Sequence, residues 1–580
     1  MKSLIRKIEF PLIVSFLLLF VSCDDMLTPD KDGALLESDI WVNTTRSLNV
    51  MYNIYNTTPN GYHRIDGAML AAATDEAVHS VATSNVKALN DGTWGPSYLI
   101  DDVWDRYFEG IRKVNEFLYN IDSVEIKPVV GSIDQTQLTR TRSRLKREAL
   151  FLRALFYHEL TKRYGGVPLI TSYYRTIDYT KVTRASYNDC VQQMVADCDS
   201  AAVGLPESYK GTLAGYDDIR DLGRPTKWAA RALKARILLY KASPLNRGTD
   251  DPTPYYKAVG DICSSIMTIS RSKPHQLMTL GTTENINNIF TPSTLIPMYN
   301  KEIIFSTSYF TGVDIERNNV PARFGGSGQT NPTQNLAEAF FDLAKEMNVF
   351  FPNDPYGNLD PRFYEYFNYD GKSLTVNNKT YVIDTKVGGL DALGSSQTAT
   401  RTGYYLNKFV MKTAIWDGSS NVVNRTFPVI RYAELLLNFA EARNEQYANP
   451  DNCPGDSIRK AIQEVHNRSR GGVVGTYIVP AGISQAQMRE IIRRERQIEL
   501  AFEEHRFFDV RRWRLYDDPI QREKLLTIKG VKITKDEYDV TTYEPYIIEK
   551  RVWNNRMYNH PIPRAEIIRC PLITQNPGWE

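Results

Sequence analysis

Apolar side chains recur at helical spacing through most of the chain. One such run in residues 141–163 places five side chains on a single helical face: Leu145, Ala149, Leu152, Phe156 and Leu160. Gly165-Gly166 and Pro168 predict the end of this helix. Comparable patterns predict helices over residues 38–56, 101–121, 185–204, 226–242, 254–270, 429–447, 453–470 and 484–506.

The predicted helices form pairs, and the first helices of two pairs resemble each other. Ala149-x-x-Leu152-Arg153-x-x-x-Tyr157 matches Ala232-x-x-Ala235-Arg236-x-x-x-Tyr240. Small residues let neighbouring helices approach closely, and a large ring fills the remaining gap, as in tetratricopeptide repeats. The sequence therefore predicts a mainly α fold, a TPR-like scaffold of about four helix pairs.

The composition changes between residues 271 and 425. This stretch is rich in Gly, Asn, Thr, Pro and Tyr and contains short extended runs such as 303–309. We interpret it as a loop-rich insert with short strands, and we expect it to bind the ligand because structured loops commonly carry binding sites. A helical region over 38–270 precedes the insert, and residues 426–580 are expected to complete the scaffold.

The first residues have the pattern of an export signal. Lys2, Arg6 and Lys7 precede an apolar run over residues 10–21, which is shorter than the roughly 20 residues that span a bilayer. The following Phe20-Val21-Ser22-Cys23 resembles a bacterial lipobox. We predict a signal peptide over 1–22, lipidation of Cys23 and a tether over 23–37; an ordinary signal peptide with an incidental cysteine is the alternative.

The net charge and the residue counts exclude several classes of function. The 70 Lys and Arg nearly balance the 68 Asp and Glu, for a net charge of +2, so a nucleic-acid partner is not expected. The sequence has no H-x-x-x-H and no C-x-x-C motif, and we predict neither a metal site nor a cofactor. Five further cysteines are interpreted as small buried residues: Cys190, Cys198, Cys263, Cys453 and Cys570.

Several motifs in the second half of the chain are specific enough to suggest a family. His560-Pro561-Ile562-Pro563-x-x-Glu566-Ile567 is followed by Gln575-Asn576-Pro577-Gly578-Trp579, and Glu495-Arg496-x-x-Glu499-Leu500-Ala501-Phe502-Glu503 leads to Arg512-Trp513. With Arg431-Tyr432-Ala433-Glu434 and Tyr164-Gly165-Gly166-Val167-Pro168, they resemble the SusD/RagB family of outer-membrane nutrient-binding lipoproteins. Glu504 departs from the pattern, since glycine is common there.

The resemblance implies a function without covalent chemistry. Members are lipid-anchored on the outer membrane and surface-exposed, where each acts as a lid on a SusC-like TonB-dependent transporter. They hold an oligosaccharide or polysaccharide and pass it to the pore, so we expect no enzyme activity. A peptide-binding RagB-type homologue is the alternative, and a surface glycoside hydrolase or a helical adaptor is less favoured.

Candidate ligand contacts come from loops, because sugar rings stack on exposed aromatic side chains. Trp94 is the first candidate, with Asp91 and Tyr98 in the same turn-rich stretch; the rival interpretation of Trp94 is a core residue. Further candidates are Asp75, Tyr309, Arg323, Tyr404, Tyr405 and Trp416.

Three acids in the C-terminal motif could suggest catalysis, but a structural role is the better interpretation. The charges around Glu495, Glu499 and Glu503 fall three or four positions apart, as Arg496 with Glu499, Glu503 with Arg506 and Asp509 with Arg512. Such spacing predicts ion pairs along one exposed helix, each worth a few tenths of a kcal/mol. The sequence therefore predicts helix-stabilising pairs rather than a carboxylate set for hydrolysis.

Overall fold

The structure is a computed structural model, and it confirms a mainly helical fold. The residues that it describes are 40–41, 44–124, 135–209, 221, 223–268, 275–277, 286–291, 300–340, 356–357, 359–376, 379–411, 414, 423–469 and 477–580. The signal peptide, the tether and Cys23 lie outside these residues, and so does Trp416. No helix in the described ranges is long and apolar enough to cross a membrane.

The helices occur at the predicted places, with most ends within a few residues of the prediction. The longer helices are α1 (Thr44–Tyr55), α3 (Trp104–Asn120), α4 (Gln135–Tyr164), α5 (Tyr187–Gly204), α6 (Lys227–Ala242), α7 (Thr253–Met267), α11 (Tyr432–Gln446), α12 (Ser457–Arg468) and α13 (Gln485–Glu499). The shorter ones are α2 (Val86–Asp91), α8 (Asp314–Asn319), α9 (Gln334–Ala339), α10 (Pro361–Tyr366), α14 (His505–Arg512), α15 (Pro519–Leu526) and α16 (Arg564–Arg569).

Four antiparallel helix pairs stack into one scaffold. Helix α1 packs on α3, α4 on α5, α6 on α7, and α11 on α12, and each pair also contacts the next. The repeated small residues lie at these contacts, since Ala149, Ala232 and Ala235 are buried. This arrangement confirms the TPR-like scaffold.

In both copies of the repeated motif, the arginine forms an ion pair with a carboxylate on a neighbouring helix. Arg153 on α4 donates to both carboxylate oxygens of Asp197 on α5, at 2.8 and 2.7 Å. Arg236 on α6 donates from Nε to Glu434 on α11 at 2.7 Å. Because these side chains are buried, each pair fixes the register of two helices that pack together.

Short antiparallel strand pairs occupy the insert and the C-terminal region. The strands are β1 (Ala77–His79), β2 (Ile303–Ser306), β3 (Phe310–Gly312), β4 (Thr330–Pro332), β5 (Phe367–Asn368), β6 (Ser373–Val376), β7 (Lys379–Val382), β8 (Tyr405–Leu406), β9 (Val423–Arg425), β10 (Pro428–Arg431), β11 (Thr527–Lys535) and β12 (Thr541–Lys550). They pair as β1–β4, β2–β10, β3–β9, β5–β8, β6–β7 and β11–β12. The pairs β1–β4 and β2–β10 join the insert to the helical regions on either side.

The helix predicted over 484–506 is wrong in one respect, because the chain turns sharply before its end. Helix α13 stops at Glu499, and α14 begins at His505. Between them Phe502 and Glu504 adopt left-handed backbone conformations, with φ of 64° and 63°. A positive φ explains why glycine suits position 504.

A cluster of buried charges surrounds the last turn of α13. Glu499 accepts hydrogen bonds from Arg362 at 2.9 Å, from Arg431 at 2.6 Å and from Arg468. Glu302 also accepts from Arg431 and Arg468, at 2.8 and 2.6 Å. Burial alone would raise the pKa of Glu499, but the three guanidinium groups outweigh it and hold this pKa well below its usual range.

Two more carboxylates extend the cluster towards the insert. Glu495, one helical turn before Glu499, accepts from Arg362 at 2.6 Å. Glu503 accepts from Lys408 at 2.7 Å and from Arg431 at 2.6 Å. We refer to these residues together as the charge cluster: Glu302, Arg362, Lys408, Arg431, Arg468, Glu495, Glu499 and Glu503.

The structural interpretation of the acids is supported, but the expected partners are wrong. Glu499 pairs with residues far away in sequence, while Arg496 reaches Asp509 on α14 at 3.1 Å. Of the three predicted pairs, Asp509 with Arg512 is present, at 2.7 Å. The break after α13 separates Arg506 from Glu503, and Glu499 already accepts from three arginines of the charge cluster.

The five predicted buried cysteines are confirmed. Each is buried and carries a free thiol. Burial raises the pKa of Cys190, Cys198 and Cys263, so these thiols are poor nucleophiles at neutral pH.

We expect Glu499→Gln to destabilise the protein strongly, by roughly 3–5 kcal/mol, because three buried guanidinium groups lose a shared counter-ion. Urea denaturation measures the free energy of unfolding. Glu490→Gln is the matched control, since Glu490 lies on the same helix with its side chain 58% exposed, and a change within about 0.5 kcal/mol is expected. Equal losses in the two variants would contradict the role given to the charge cluster.

Candidate ligand-binding face

Loops from the N-terminal region and the insert meet around residues 62–67. At the centre of this segment, Asp66 and Gly67 form a tight turn with φ of 50° and 81°, closed by pairing of Ile65 with Ala68. An Asp-Gly pair favours such turns because both residues tolerate a positive φ. We refer to residues 62–67, 79–98 and 309–328 as the ligand-binding face.

Tyr98 lies on one side of the central turn. Its hydroxyl donates to the side-chain oxygen of Asn85 at 2.8 Å, and Asn85 donates from its backbone and side chain to the Asp66 carboxylate at 2.7 and 3.0 Å. The Tyr98 ring is 49% exposed. A ring beside an amide and a carboxylate offers both a stacking surface and groups that bind hydroxyls.

Tyr309 is another exposed ring, next to a residue that contacts the same segment. Its neighbour Phe310 packs against Tyr62, with ring centroids 6.2 Å apart, while Tyr309 itself is 54% exposed. Close by, the Asn318 amide donates to Nδ1 of His63 at 2.8 Å. Contacts therefore link the chain around each exposed ring, Tyr98 and Tyr309, to residues 62–67, although 211 positions separate the two rings in sequence.

The loop that carries Arg323 joins the face through backbone contacts. The hydroxyl of Ser80 donates to the carbonyl of Ser327 at 3.2 Å. Arg323 pairs with the buried Asp391 and donates to the carbonyl of Val382 at 2.7 Å. The side chain of Arg323 is only 25% exposed. Its main function is therefore to stabilise this loop, and little of its guanidinium group is available to bind a ligand.

The two histidines of the face are uncharged at neutral pH. Burial lowers the pKa of His63 and of His79 below the usual value of 6.5. His79 is held by its own loop, since Nδ1 accepts from the backbone of Val81 at 3.0 Å. His79 is buried and His63 is bonded to Asn318, so the two rings hold their loops in place without adding charge to the face.

Trp94, the first candidate from sequence, is not an exposed ring. It is 3% exposed, and its ring centroid lies 5.0 Å from that of His560 and 4.8 Å from that of Trp579. Gly92 and Gly95 do place it in a loop, but the C-terminal motif covers that loop. Trp94 is therefore a core residue, and its expected exposure is wrong.

Other candidates are also buried. Asp75 accepts two hydrogen bonds from Arg506, at 2.8 and 2.7 Å. Tyr404 donates to the side chain of Gln334 at 2.7 Å, and Tyr405 donates to the carbonyl of Asp391 at 2.8 Å. These contacts explain why such polar side chains can be buried, and they correct the expectation that these residues face a ligand.

Two candidates remain: Asp91, which is partly exposed, and Trp416, which lies outside the residues that the structure describes. Asp91 is half-buried at the end of α2 and pairs with Lys87, so the length of α2 separates it from Asn85, which precedes the helix. Asp66, Asn85, His63 and Asn318 were not predicted from sequence. The Asp66-Gly67 dipeptide was the available signal, because it marks a turn that sequence analysis could have used.

Comparisons with known proteins agree with this architecture. The model described as "SusD family" matches residues 300–579, and the model described as "Starch-binding associating with outer membrane" matches residues 27–239. A SusD-like protein of Formosa agariphila is 26% identical over 442 residues, covering 73% of this chain and 72% of the relative. The chain belongs to the SusD/RagB family.

Solved structures share the same fold. A SusD-like protein from Bacteroides fragilis aligns with a TM-score of 0.75 and 26% identity, over 94% of this chain and 98% of its own. A SusD-like carbohydrate binding protein from the same organism aligns with a TM-score of 0.71 and 23% identity, over 92% of this chain and 100% of its own.

We expect Trp94→Ala to lower the free energy of unfolding by roughly 3–5 kcal/mol, because a buried indole leaves a large cavity. Tyr98→Ala, only four positions away, removes an exposed ring and serves as the control. Thermal melts of the two variants should separate clearly, with only Trp94→Ala shifted. A normal melt for Trp94→Ala would mean that the ring is not part of the core.

Proposed function

We propose that the protein captures a glycan on the cell surface and delivers it to a SusC-like TonB-dependent outer-membrane transporter, for which it acts as the lid. The observation that carries the glycan part of the proposal is the pair Tyr98 and Tyr309 beside the polar groups of Asp66, Asn85 and Asn318. Family membership supports the same function, and a structural neighbour is itself described as a carbohydrate binding protein.

The face suits a neutral polyhydroxylated ligand for electrostatic reasons. Its histidines are uncharged at neutral pH, and Arg323 is already paired with Asp391. The acceptors Asp66 and Asn85 are fixed by hydrogen bonds before a ligand arrives, which lowers the entropy lost on binding. Two exposed rings on an open surface favour stacking against an extended glycan chain.

The ion pairs of the carboxylates in the C-terminal motif support binding without hydrolysis. A glycosidase needs two carboxyl groups that face the sugar across a defined gap. The acids of the C-terminal motif are instead buried in the charge cluster, where each one neutralises arginine or lysine. We therefore propose a binding protein rather than a hydrolase.

The double variant Tyr98→Ala/Tyr309→Ala should lose glycan affinity without losing stability. Two stacking rings at about 0.5–1.5 kcal/mol each correspond to a drop of roughly 5- to 150-fold. Affinity gel electrophoresis against starch, laminarin, xylan and mannan identifies the retaining polysaccharide, and titration calorimetry then gives the affinity. Tyr538→Ala is the matched control, because that ring is 78% exposed in the turn between β11 and β12.

Each result of this experiment has a defined meaning. Retention that disappears only in the double variant supports glycan binding at this face. Retention unaffected by the double variant would contradict the assigned face, and release of sugar from the polysaccharide would favour the hydrolase. Binding of a peptide digest but of no polysaccharide would favour the RagB-type alternative.

The lid function requires the protein to remain at the outer membrane. We propose that Cys23 receives the lipid and that residues 23–37 form the tether, since acyl chains contribute about 0.8 kcal/mol per buried CH₂ group. This arrangement keeps the captured glycan next to the pore.

We expect Cys23→Ala to move the protein from the outer-membrane fraction to a soluble fraction, because the acyl anchor can no longer form. Cell fractionation and immunoblotting measure this change, with Cys570→Ala as the control. Recovery of the transporter by gentle detergent pull-down should also depend on Cys23. A Cys23→Ala variant that still pellets with the membrane would argue against the lipid anchor.

A further inference from the structure

A second cavity opens on the helical scaffold, away from the ligand-binding face. Its volume is ≈ 330 Å³, and it lies between α3, the loop 168–182 and α16. Its walls include five aromatic rings and the carboxylate of Asp105; the rings are those of Trp104, Phe108, Tyr173, Tyr174 and Tyr179. It shares no residue with the ligand-binding face.

Buried hydrogen bonds hold the loop wall of this cavity in place. Tyr157 donates to the carbonyl of Ile170 at 2.9 Å and accepts from its backbone N–H at 2.7 Å. Asn115 donates to the same carbonyl at 2.9 Å, and Arg153 donates to the carbonyl of Thr171 at 2.9 Å. The cavity is therefore formed before any ligand binds, which reduces the ordering cost.

The charged groups around the opening are compensated within their own helices. Glu109 pairs with Lys113 at 2.7 Å, and Arg112 pairs with Glu116 at 2.9 Å. On α16, Glu566 pairs with Arg569. These neighbours give the cavity little net charge, so its electrostatics match a neutral ligand better than a phosphate or a carboxylate.

The rings provide the contact surface. Tyr174 is 56% exposed and Tyr179 is 43% exposed, while the buried Trp104 forms part of the cavity wall. The guanidinium of Arg569 lies 5.0 Å from the centroid of Tyr179 and steadies that ring. Asp105 is exposed in the first turn of α3 and can accept hydrogen bonds from hydroxyls.

We infer that this cavity is a second saccharide site, which holds one neutral pyranose unit between the tyrosine rings and Asp105. Its volume lies at the lower end of the range for small-molecule sites, about 300–1,000 Å³, so it accepts a single ring rather than a long chain. The inference rests on the proposed glycan-binding function. It adds a second contact that would hold a branch or the end of a glycan already bound at the ligand-binding face.

Saturation-transfer NMR tests this site with defined probes. The probes are the methyl glycosides of glucose, galactose, mannose, xylose and N-acetylglucosamine, with glucuronic acid as the charged comparison. At least one neutral glycoside should give a signal that Tyr174→Ala/Tyr179→Ala removes and that Tyr98→Ala/Tyr309→Ala preserves. Glucuronic acid should give a weaker signal because the site does not supply a free cation.

A more conservative variant distinguishes a loss of binding from a loss of folding. Asp105→Asn keeps the shape of the cavity and should weaken binding several-fold while the thermal melt stays unchanged. The inference is overturned if no neutral glycoside gives a signal, or if the signal survives the tyrosine variant. It is also overturned if only the Tyr98 and Tyr309 variant removes the signal. The last result would still support glycan binding at the ligand-binding face, so each of the two proposals can be refuted without refuting the other.

Discussion

The structure depends on buried charge pairing between segments that are distant in sequence. Four bases and four acids meet in the charge cluster, and removing ions of this kind from water costs several kcal/mol per ion unless each is paired. Arg362 and Lys408 come from the insert, while Glu499 and Glu503 come from the end of α13 and the turn after it. The insert can therefore lie in only one way on the helical scaffold without leaving a buried charge unpaired.

The same requirement positions the loops that we assign to ligand binding. Arg425, at the end of β9, donates to the carbonyl of Phe409 at 2.9 Å and pairs with the buried Glu316 on α8. Helix α8 then leads to Asn318, which contacts His63 beside the central turn. A chain of buried polar contacts thus runs beneath the surface loops, and the exposed rings are carried by a rigid support. Rigid support matters because a shallow sugar site has little binding energy available for ordering loops.

The two surfaces that we propose for glycan binding differ in shape. The ligand-binding face presents exposed rings around a turn, whereas the cavity lies between α3, the loop 168–182 and α16. An open face suits internal units of a long chain, and a pocket suits one unit. Glycan capture by two unequal contacts would raise the effective affinity of a polymer without requiring either contact to be strong.

The sequence by itself determined the local features, and the tertiary structure decided which residues are exposed. Helical spacing predicted the scaffold because each helix must bury one face, and the repeated Ala and Arg motif marked two equivalent helices for the same reason. The pattern around Trp94 correctly predicted a loop, yet no local rule could show that His560 and Trp579 cover the ring from more than 460 positions away. Charge spacing near Glu499 suggested local pairs, but burial favoured partners from the insert and from α12, since a buried carboxylate needs several donors. Exposure and ion pairing are set by contacts distant in sequence, so only the folded chain shows that Trp94 is buried while Tyr98, four positions away, is exposed.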